Sequence, residues 1–167
     1  MSTSRERTYQ WQDPLEGAVT AQSMSGLEYL RAMQEGKLPL PPVLHTLDIY
    51  VKDIREGNVA FEFLPKEFHY NPIGAVHGGV ISTLLDSAMG CSVHSTLKAG
   101  IGYTTIEMKV NFVKGVTVKQ GKLMAVGKVI FTGARTSLAE AQLIDDNGVL
   151  YAHATSTCLL IEFKKQA

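Results

Sequence analysis

The chain lacks several features that would each point to a particular class of protein. It has only 2 cysteines. Cys91 and Cys158 lie far apart, form neither a disulfide framework nor a metal-ligand pair, and sit in apolar runs where buried free thiols are expected. A reducing cytoplasm fits that state. There is no excess of either charge, since 16 Lys and Arg balance 16 Asp and Glu. Without a broad basic field, neither nucleic acid nor an anionic membrane is an expected partner. No run of about 18 apolar residues exists to span a membrane. Residues 1–10 carry charges with no apolar stretch behind them, unlike a signal peptide. The G-x-S-x-G elbow of serine hydrolases is absent, as are the P-loop and the dinucleotide fingerprint. His45, His69, His94 and His153 have no ligand-like spacing, so no metal is expected. The remaining chain is 45% hydrophobic and 19% charged over 167 residues, enough for one domain with its own core.

Hydrophobic periodicity orders that domain. Residues 1–24 are polar, lack periodicity and are expected to form a loose tail, leaving residues 25–167 as a single domain. Leu27, Leu30 and Met33 recur at helical spacing and Gly36 ends the run, which predicts a short amphipathic helix. Pro39, Pro41 and Pro42 predict an extended link. Leu47, Ile49 and Val51, then Val59, Phe61 and Phe63, alternate with polar residues on either side of Arg55-Glu56-Gly57-Asn58, a hairpin pattern. A loop with Asn71-Pro72 and Gly74 as turn residues follows. Residues 80–97 read as the main helix, with Ile81, Leu84, Leu85, Ala88 and Cys91 on one face. Asp86 is the only formally charged side chain between Val76 and Thr96, so this helix is expected to be buried. Everything after Gly102 reads as strand. Ile106, Met108, Val110 and Phe112 alternate with polar residues, and β-branched runs follow, two of them joined by the hairpin signal Asp145-Asp146-Asn147-Gly148. One helix cannot cover both faces of a sheet, but a strongly curved antiparallel sheet wrapped around it would bury it. The expected class is α+β: a curved antiparallel β-sheet around one long central α-helix, with a short extra N-terminal helix.

Two features of the main helix carry chemistry. His77-Gly78-Gly79 opens it, and consecutive glycines at a helix N-terminus expose backbone N–H groups at the positive end of the dipole. Such groups suit a carbonyl oxygen that gains negative charge under attack; the same glycines would equally serve a tight turn and close packing. Asp86 is the second feature. A carboxylate on a buried helix face is costly without partners, so it is either a structural hydrogen-bond acceptor or a base or nucleophile. Asp86 lies nine residues beyond His77, roughly 13 Å along a helix axis. One chain's Asp86 cannot easily reach a carbonyl held by its own glycines. Joint action on one substrate therefore predicts two antiparallel helices from two chains related by a two-fold axis.

Asn71-Pro72-Ile73-Gly74-Ala75-Val76-His77-Gly78-Gly79, followed by Asp86, resembles the signature of the phenylacetate-degradation (PaaI-type) branch of hotdog-fold acyl-CoA thioesterases. The resemblance continues through Thr104-Thr105-Ile106-Glu107-Met108-Lys109-Val110-Asn111-Phe112 and the closing strand Ala152-His153-Ala154-Thr155-Ser156-Thr157-Cys158, spanning roughly residues 27–163. It implies a hotdog fold and hydrolysis of an aryl-acyl or short- to medium-chain acyl-CoA to the carboxylate and free CoA, in an active site shared across a homodimer, alone or as a dimer of dimers. Coenzyme A is part of the substrate, and no cofactor is implied. By the same resemblance Gly78 N–H polarises the thioester carbonyl with help from Gly79. His77 fixes the loop and bonds near the thioester, and Asn71 orients substrate or water. Asp86 of the partner chain is base or nucleophile. Thr105 matches a hydroxyl that positions water, although a β-branched residue is also ordinary in a strand. The phosphates of CoA need cations, for which Arg135 is the candidate. Relatives place their basic residue directly after the hairpin glycine, whereas Ala134 intervenes here, and a solvated surface arginine fits as well. A non-catalytic acyl-CoA- or lipid-binding protein on the same fold is the alternative, though a pure binder has no need of Asp86. A thioester hydratase or dehydratase is a third reading, disfavoured because His77 and Asp86 are placed for a carbonyl rather than for neighbouring carbons.

Overall fold

The structure is a computed structural model describing residues 4–163; the start of the expected tail and the last residues of the expected domain lie outside the described residues. Six antiparallel strands form one sheet in the order β1-β2-β4-β5-β6-β3. In the chain they run β1 (Ile49–Arg55), β2 (Asn58–Phe63), β3 (Ile101–Phe112), β4 (Leu123–Thr132), β5 (Thr136–Asp145) and β6 (Leu150–Glu162). The long helix α4 (Gly78–His94) packs against β2, β3, β4, β5 and β6. This is the hotdog arrangement expected from the sequence.

The sheet closes on α4 because its inward positions are small. Ala125 on β4, Ala139 and Ala141 on β5, and Ala152 and Ala154 on β6 are fully or almost fully buried, and they let the helix backbone approach. The approach is tightest at Gly127 on β4, where a Cβ would lie 2.2 Å from the Ala88 carbonyl oxygen of α4. Larger groups fill the flanks: Leu84, Leu85 and Met89 of α4 pack with Phe61, Phe63 and Leu123 in one core. Ser92 is one of the buried polar residues. It accepts from Val59 N–H at 2.9 Å and donates to Ala88 O at 2.7 Å, so helix and β2 are tied by a satisfied group.

The N-terminal third is more ordered than its composition suggested. The expected loose tail contains α1 (Pro14–Ala21), started by Asp13 accepting from Leu15 N–H. Upstream of it Arg7 is docked: its guanidinium pairs with Asp48 at 2.6 Å, stacks 4.0 Å over the Phe68 ring and bonds the carbonyls of His45 and Thr46. Polar, aperiodic sequence does not reveal such long-range docking. The helix expected after Ser25 is α2 (Gly26–Gln34), with a reciprocal Ser25–Glu28 capping box. The expected extended link is instead partly helical. Pro42 begins the short α3 (Pro42–Leu47), because proline at the first helical position loses no hydrogen bond. Asp48 ends it in the left-handed conformation, φ 48°.

The main helix also begins two residues earlier than its apolar pattern indicated and ends at His94. The glycines contribute nothing to periodicity, yet they form its first turn under the cap described below. The alternation expected along β3 is interrupted as well. The β3–β6 register shifts between Thr105 and Glu107, so Ile106 is an extra residue and is 55% exposed.

Candidate active site

The loop before α4 is built largely by its own side chains. His69 is buried; its Nδ1 accepts from Lys66 N–H and its Nε2 donates to Leu47 O, both at 3.0 Å. Burial pushes its pKa below the ordinary imidazole value. Asn71 Oδ1 accepts from the N–H groups of Ile73 and Ala75, each at 3.1 Å. Asn71 therefore closes the turn with its oxygen, leaving Nδ2 as its group available to a ligand. His77 N–H reaches back to His69 O, and Val76 N–H to Val116 O, both at 2.8 Å.

His77 is the N-cap of α4, an unusual residue there. Its Nδ1 accepts from Gly79 N–H at 2.9 Å, so in the neutral ring the proton sits on Nε2, a donor on an exposed side chain. This engages the Gly79 amide and separates the paired glycines in role. Gly78 N–H has no partner among the described residues and lies at the positive end of a 17-residue helix. A Cβ on Gly78 would stand 3.1 Å from the Phe112 ring, so Gly78 also lets β3 close over the helix start. Asn71 and Gly78 share a cavity of about 330 Å³ with Phe112 and Lys114.

Asp86 lies two turns further along α4, within reach of β3. Its Oδ1 accepts from Thr105 Oγ1 at 2.9 Å; no hydrogen bond to Oδ2 occurs among the described residues. The bulge at Ile106 keeps Tyr103 and Thr105 on the helix side while Met108 and Val110 resume that side after it. The resemblance gave Thr105 as a hydroxyl that positions water and did not link it to Asp86; in the structure its hydroxyl donates to the Asp86 carboxylate. Asp86 also lines a second cavity of about 170 Å³, whose other walls come from α2, α3, β1, β2, Cys91 and Tyr103. Burial, helped by the charge of Asp86, pushes the Cys91 thiol up to about 12, and burial chiefly raises the Tyr103 hydroxyl well above its ordinary value. Both are neutral proton-bearing groups beside an acid. Sequence reasoning did not single out Tyr103, although its position two residues before Thr105 on one strand face was a usable signal.

Within one chain, therefore, the unpartnered amide and the carboxylate open into different cavities, as the spacing along the helix requires. Arg135 lies in the β4–β5 hairpin. Its carbonyl accepts from Leu160 N–H at 2.9 Å, while its exposed side chain makes no hydrogen bond or ion pair among the described residues. The hairpin sits at the Tyr103–Thr105 end of the sheet, since Thr136 pairs with Leu159 and Leu159 with Thr104. Among the described residues no three His, Cys, Asp or Glu side chains cluster to hold a metal, and no helix is long and apolar enough to cross a membrane.

The thioesterase superfamily model matches residues 73–152, the segment from the Asn71 loop into β6. A Saccharolobus solfataricus protein named "Putative esterase" is 26% identical over 138 residues, covering 83% of this chain and 96% of its own length. The crystal structure of a phenylacetic acid degradation-related protein from Ralstonia eutropha JMP134 superposes with a TM-score of 0.71 at 26% identity, over 78% of this chain and 98% of that one. A Streptococcus mutans UA159 protein solved bound to acetyl CoA has the same fold, with a TM-score of 0.63 at 24% identity over 70% of this chain and 91% of that one.

Proposed function

Since the chain is a hotdog-fold member of the thioesterase superfamily, of the type found among phenylacetate-degradation proteins, we propose that it hydrolyses acyl-CoA thioesters to the carboxylate and free coenzyme A, in a site completed by a second copy of the chain. The observation that carries this reading is the pair of complementary groups on α4: an unpartnered Gly78 N–H at its start and a half-buried Asp86 held by one hydroxyl. They are eight residues apart, roughly 12 Å along the axis, too far to act on one carbonyl from the same helix.

The free surface favours a second copy. β3 is a sheet edge of 12 residues, and long unpaired edges invite strand addition. Around Gly78, Ile73 is 88% exposed, Phe112 55% and Val113 53%, an apolar rim unsuited to water. A two-fold axis beside β3 would continue the sheet, cover that rim and set two α4 helices antiparallel, each Asp86 toward the partner's helix start.

In that arrangement Gly78 N–H and the helix dipole receive the thioester carbonyl oxygen. Asp86, oriented by Thr105, takes a proton from water as the oxygen adds to the carbonyl carbon, and the oxyanion rests on Gly78 N–H. The C–S bond then breaks, and the departing thiolate takes the proton from Asp86. Direct attack by Asp86 would instead expel the CoA thiolate and form a mixed anhydride that water opens; label in the carboxylate side chain after a single turnover in ¹⁸O-labelled water would establish that route, with water attacking the Asp86 carboxyl carbon. The acetyl-CoA-bound relative supports CoA as the thiol half. Arg135 and the Asn71 Nδ2 are the groups this reading assigns to the rest of the substrate.

The test is free-thiol release from acyl-CoA by wild type and Asp86→Asn. Turnover should fall at least about 1,000-fold in the variant, with a melting temperature close to wild type. Full activity in Asp86→Asn, or in a protein shown to be monomeric, overturns the mechanism; binding without hydrolysis by wild type leaves a carrier in place of an enzyme.

A further inference from the structure

The cavity beside Asp86 is walled by residues that the family segment does not include. Leu30 and Met33 lie three apart on α2, and Val43 and Leu44 on α3; the superfamily match begins only at residue 73. Val59 and Phe61 of β2 line it as well, and among the described residues Asp86 is the only charged side chain in the lining. The thiol of Cys91 and the hydroxyl of Tyr103 are held neutral by burial.

We propose that this cavity is the acyl pocket and that α2 and α3 set its length, selecting uncharged, apolar acyl groups of about the size of one ring. The inference rests on the thioesterase reading and assigns its substrate class. Size supports it: the cavity of about 170 Å³ compares with the cavity of about 150 Å³ lined by aliphatic and aromatic groups that takes up benzene. Chemistry supports it too. Among the described residues no cation lines the cavity, so an acyl chain ending in a carboxylate would meet Asp86 with no counter-charge and leave its own charge desolvated. Position supports it, because the acyl carbon must lie beside Asp86 for that group to act, and the chain beyond it then enters the adjoining apolar space.

The wall is fixed rather than loosely draped. Gly26 N–H donates to Leu97 O at 2.9 Å. A Cβ on Gly26 would fall 1.7 Å from His94 O, so the start of α2 is seated directly on the end of α4. The Ser25–Glu28 box holds the same turn. Substitutions on the inner faces of α2 and α3 should therefore alter the pocket length rather than release the wall. Val43 is the safer position, being 40% exposed while lining the cavity.

The experiment uses the full chain and measures kcat/KM for thiol release from acetyl-, butyryl-, hexanoyl-, octanoyl-, decanoyl-, phenylacetyl- and glutaryl-CoA. Wild type should favour hexanoyl- and phenylacetyl-CoA and fall by about tenfold or more on decanoyl- and glutaryl-CoA. Val43→Phe should move the optimum to butyryl-CoA and lower hexanoyl-CoA turnover about tenfold more than acetyl-CoA turnover. Met33→Ala should move the optimum toward octanoyl-CoA. Equal losses on every chain length in Val43→Phe, or equal wild-type turnover of hexanoyl- and glutaryl-CoA, would refute the pocket assignment while leaving hydrolysis intact. Wild type inert on the whole panel would strike the hydrolase reading instead. The pocket then stands or falls on binding: Val43→Phe must weaken hexanoyl-CoA at least about tenfold and leave free CoA unchanged.

Discussion

Replacing Gly127 by alanine should loosen the close contact between β4 and α4, which carries Asp86 and Gly78. The added Cβ would lie 2.2 Å from Ala88 O, 2.5 Å from Ala88 C and 2.7 Å from Ser92 Oγ. Two of these are backbone atoms, so no side-chain rotation relieves them. Restoring an ordinary contact of at least 3.4 Å requires α4 and β4 to separate by roughly 1 Å, a strain of the kind that costs about 1–3 kcal/mol in packed cores. For a chain of this size the melting temperature should fall by about 2–12 °C. The second consequence concerns chemistry. Asp86 is two residues from Ala88 on the same rigid helix, and a displacement of roughly 1 Å is enough to lower a rate about 100-fold. Differential scanning calorimetry and thiol release on one preparation read both effects. Ser92→Ala in the Gly127→Ala background should restore little, because the carbonyl clash persists. A variant melting within about 1 °C of wild type would show that helix and sheet are not in the contact described, and the placement of Asp86 would need revision with it.

Two further predictions test the supports of the site. Thr105→Val removes the donor to Asp86 Oδ1 at nearly constant volume; a hydrogen bond to a charged group is worth about 1.5–3 kcal/mol, so kcat should fall about 10- to 150-fold, and Thr105→Ser should recover most of it. Thr105→Ser as slow as Thr105→Val would mean that packing of the methyl group, and not the hydroxyl, is what matters. Asp48 tests the N-terminal clamp. Against the burial that opposes them, hydrogen bonds from Lys66 and Arg7 hold its carboxyl below the usual range. With the folded pKa below the unfolded one, its stabilisation is complete above the ordinary carboxylate pKa and is lost as pH falls through the folded value. Asp48→Asn, a residue that tolerates the left-handed backbone, should cost on the order of 1–2 kcal/mol near pH 7 and progressively less as pH falls below the ordinary carboxylate value; a melting-temperature gap that does not narrow in acid would rule out the ion pairs as its cause.

Much of the fold was legible because its signals are local. Alternation marked β1 and β2 around Gly57, Asp145-Asp146-Asn147-Gly148 marked the β5–β6 turn, and the charge-poor run around Asp86 marked α4 as the buried helix. What escaped was set by distant partners. Arg7 docks on Asp48 and Phe68 across about 40 and 60 residues of chain, so α1 and the arm before it read as a tail. The Ile106 bulge depends on where β6 pairs with β3, and an unbroken alternation of apolar residues cannot show an extra residue. Periodicity alone began the helix at residue 80, because glycine carries no hydrophobic signal, while the His77-Gly78-Gly79 motif marked its start.

The candidate site divides in the same way. Sequence by itself determined which groups are present: an acid without a nearby cation on a buried helix, two glycines at the positive end of that helix, and a spacing too long for one chain to use both on a single carbonyl. These are properties of residue type and helical rise, and they hold before any packing is known. Only the tertiary structure decided which amide is left unpartnered, because the His77 ring engages Gly79 and not Gly78. It alone placed Thr105 on Asp86, through a strand register set by β6. It alone brought α2 and α3 over the far side of α4 to enclose a space beside the carboxylate. Each of these depends on contacts between segments whose separation in the chain carries no trace of their meeting, and close packing of the whole domain is what makes them meet.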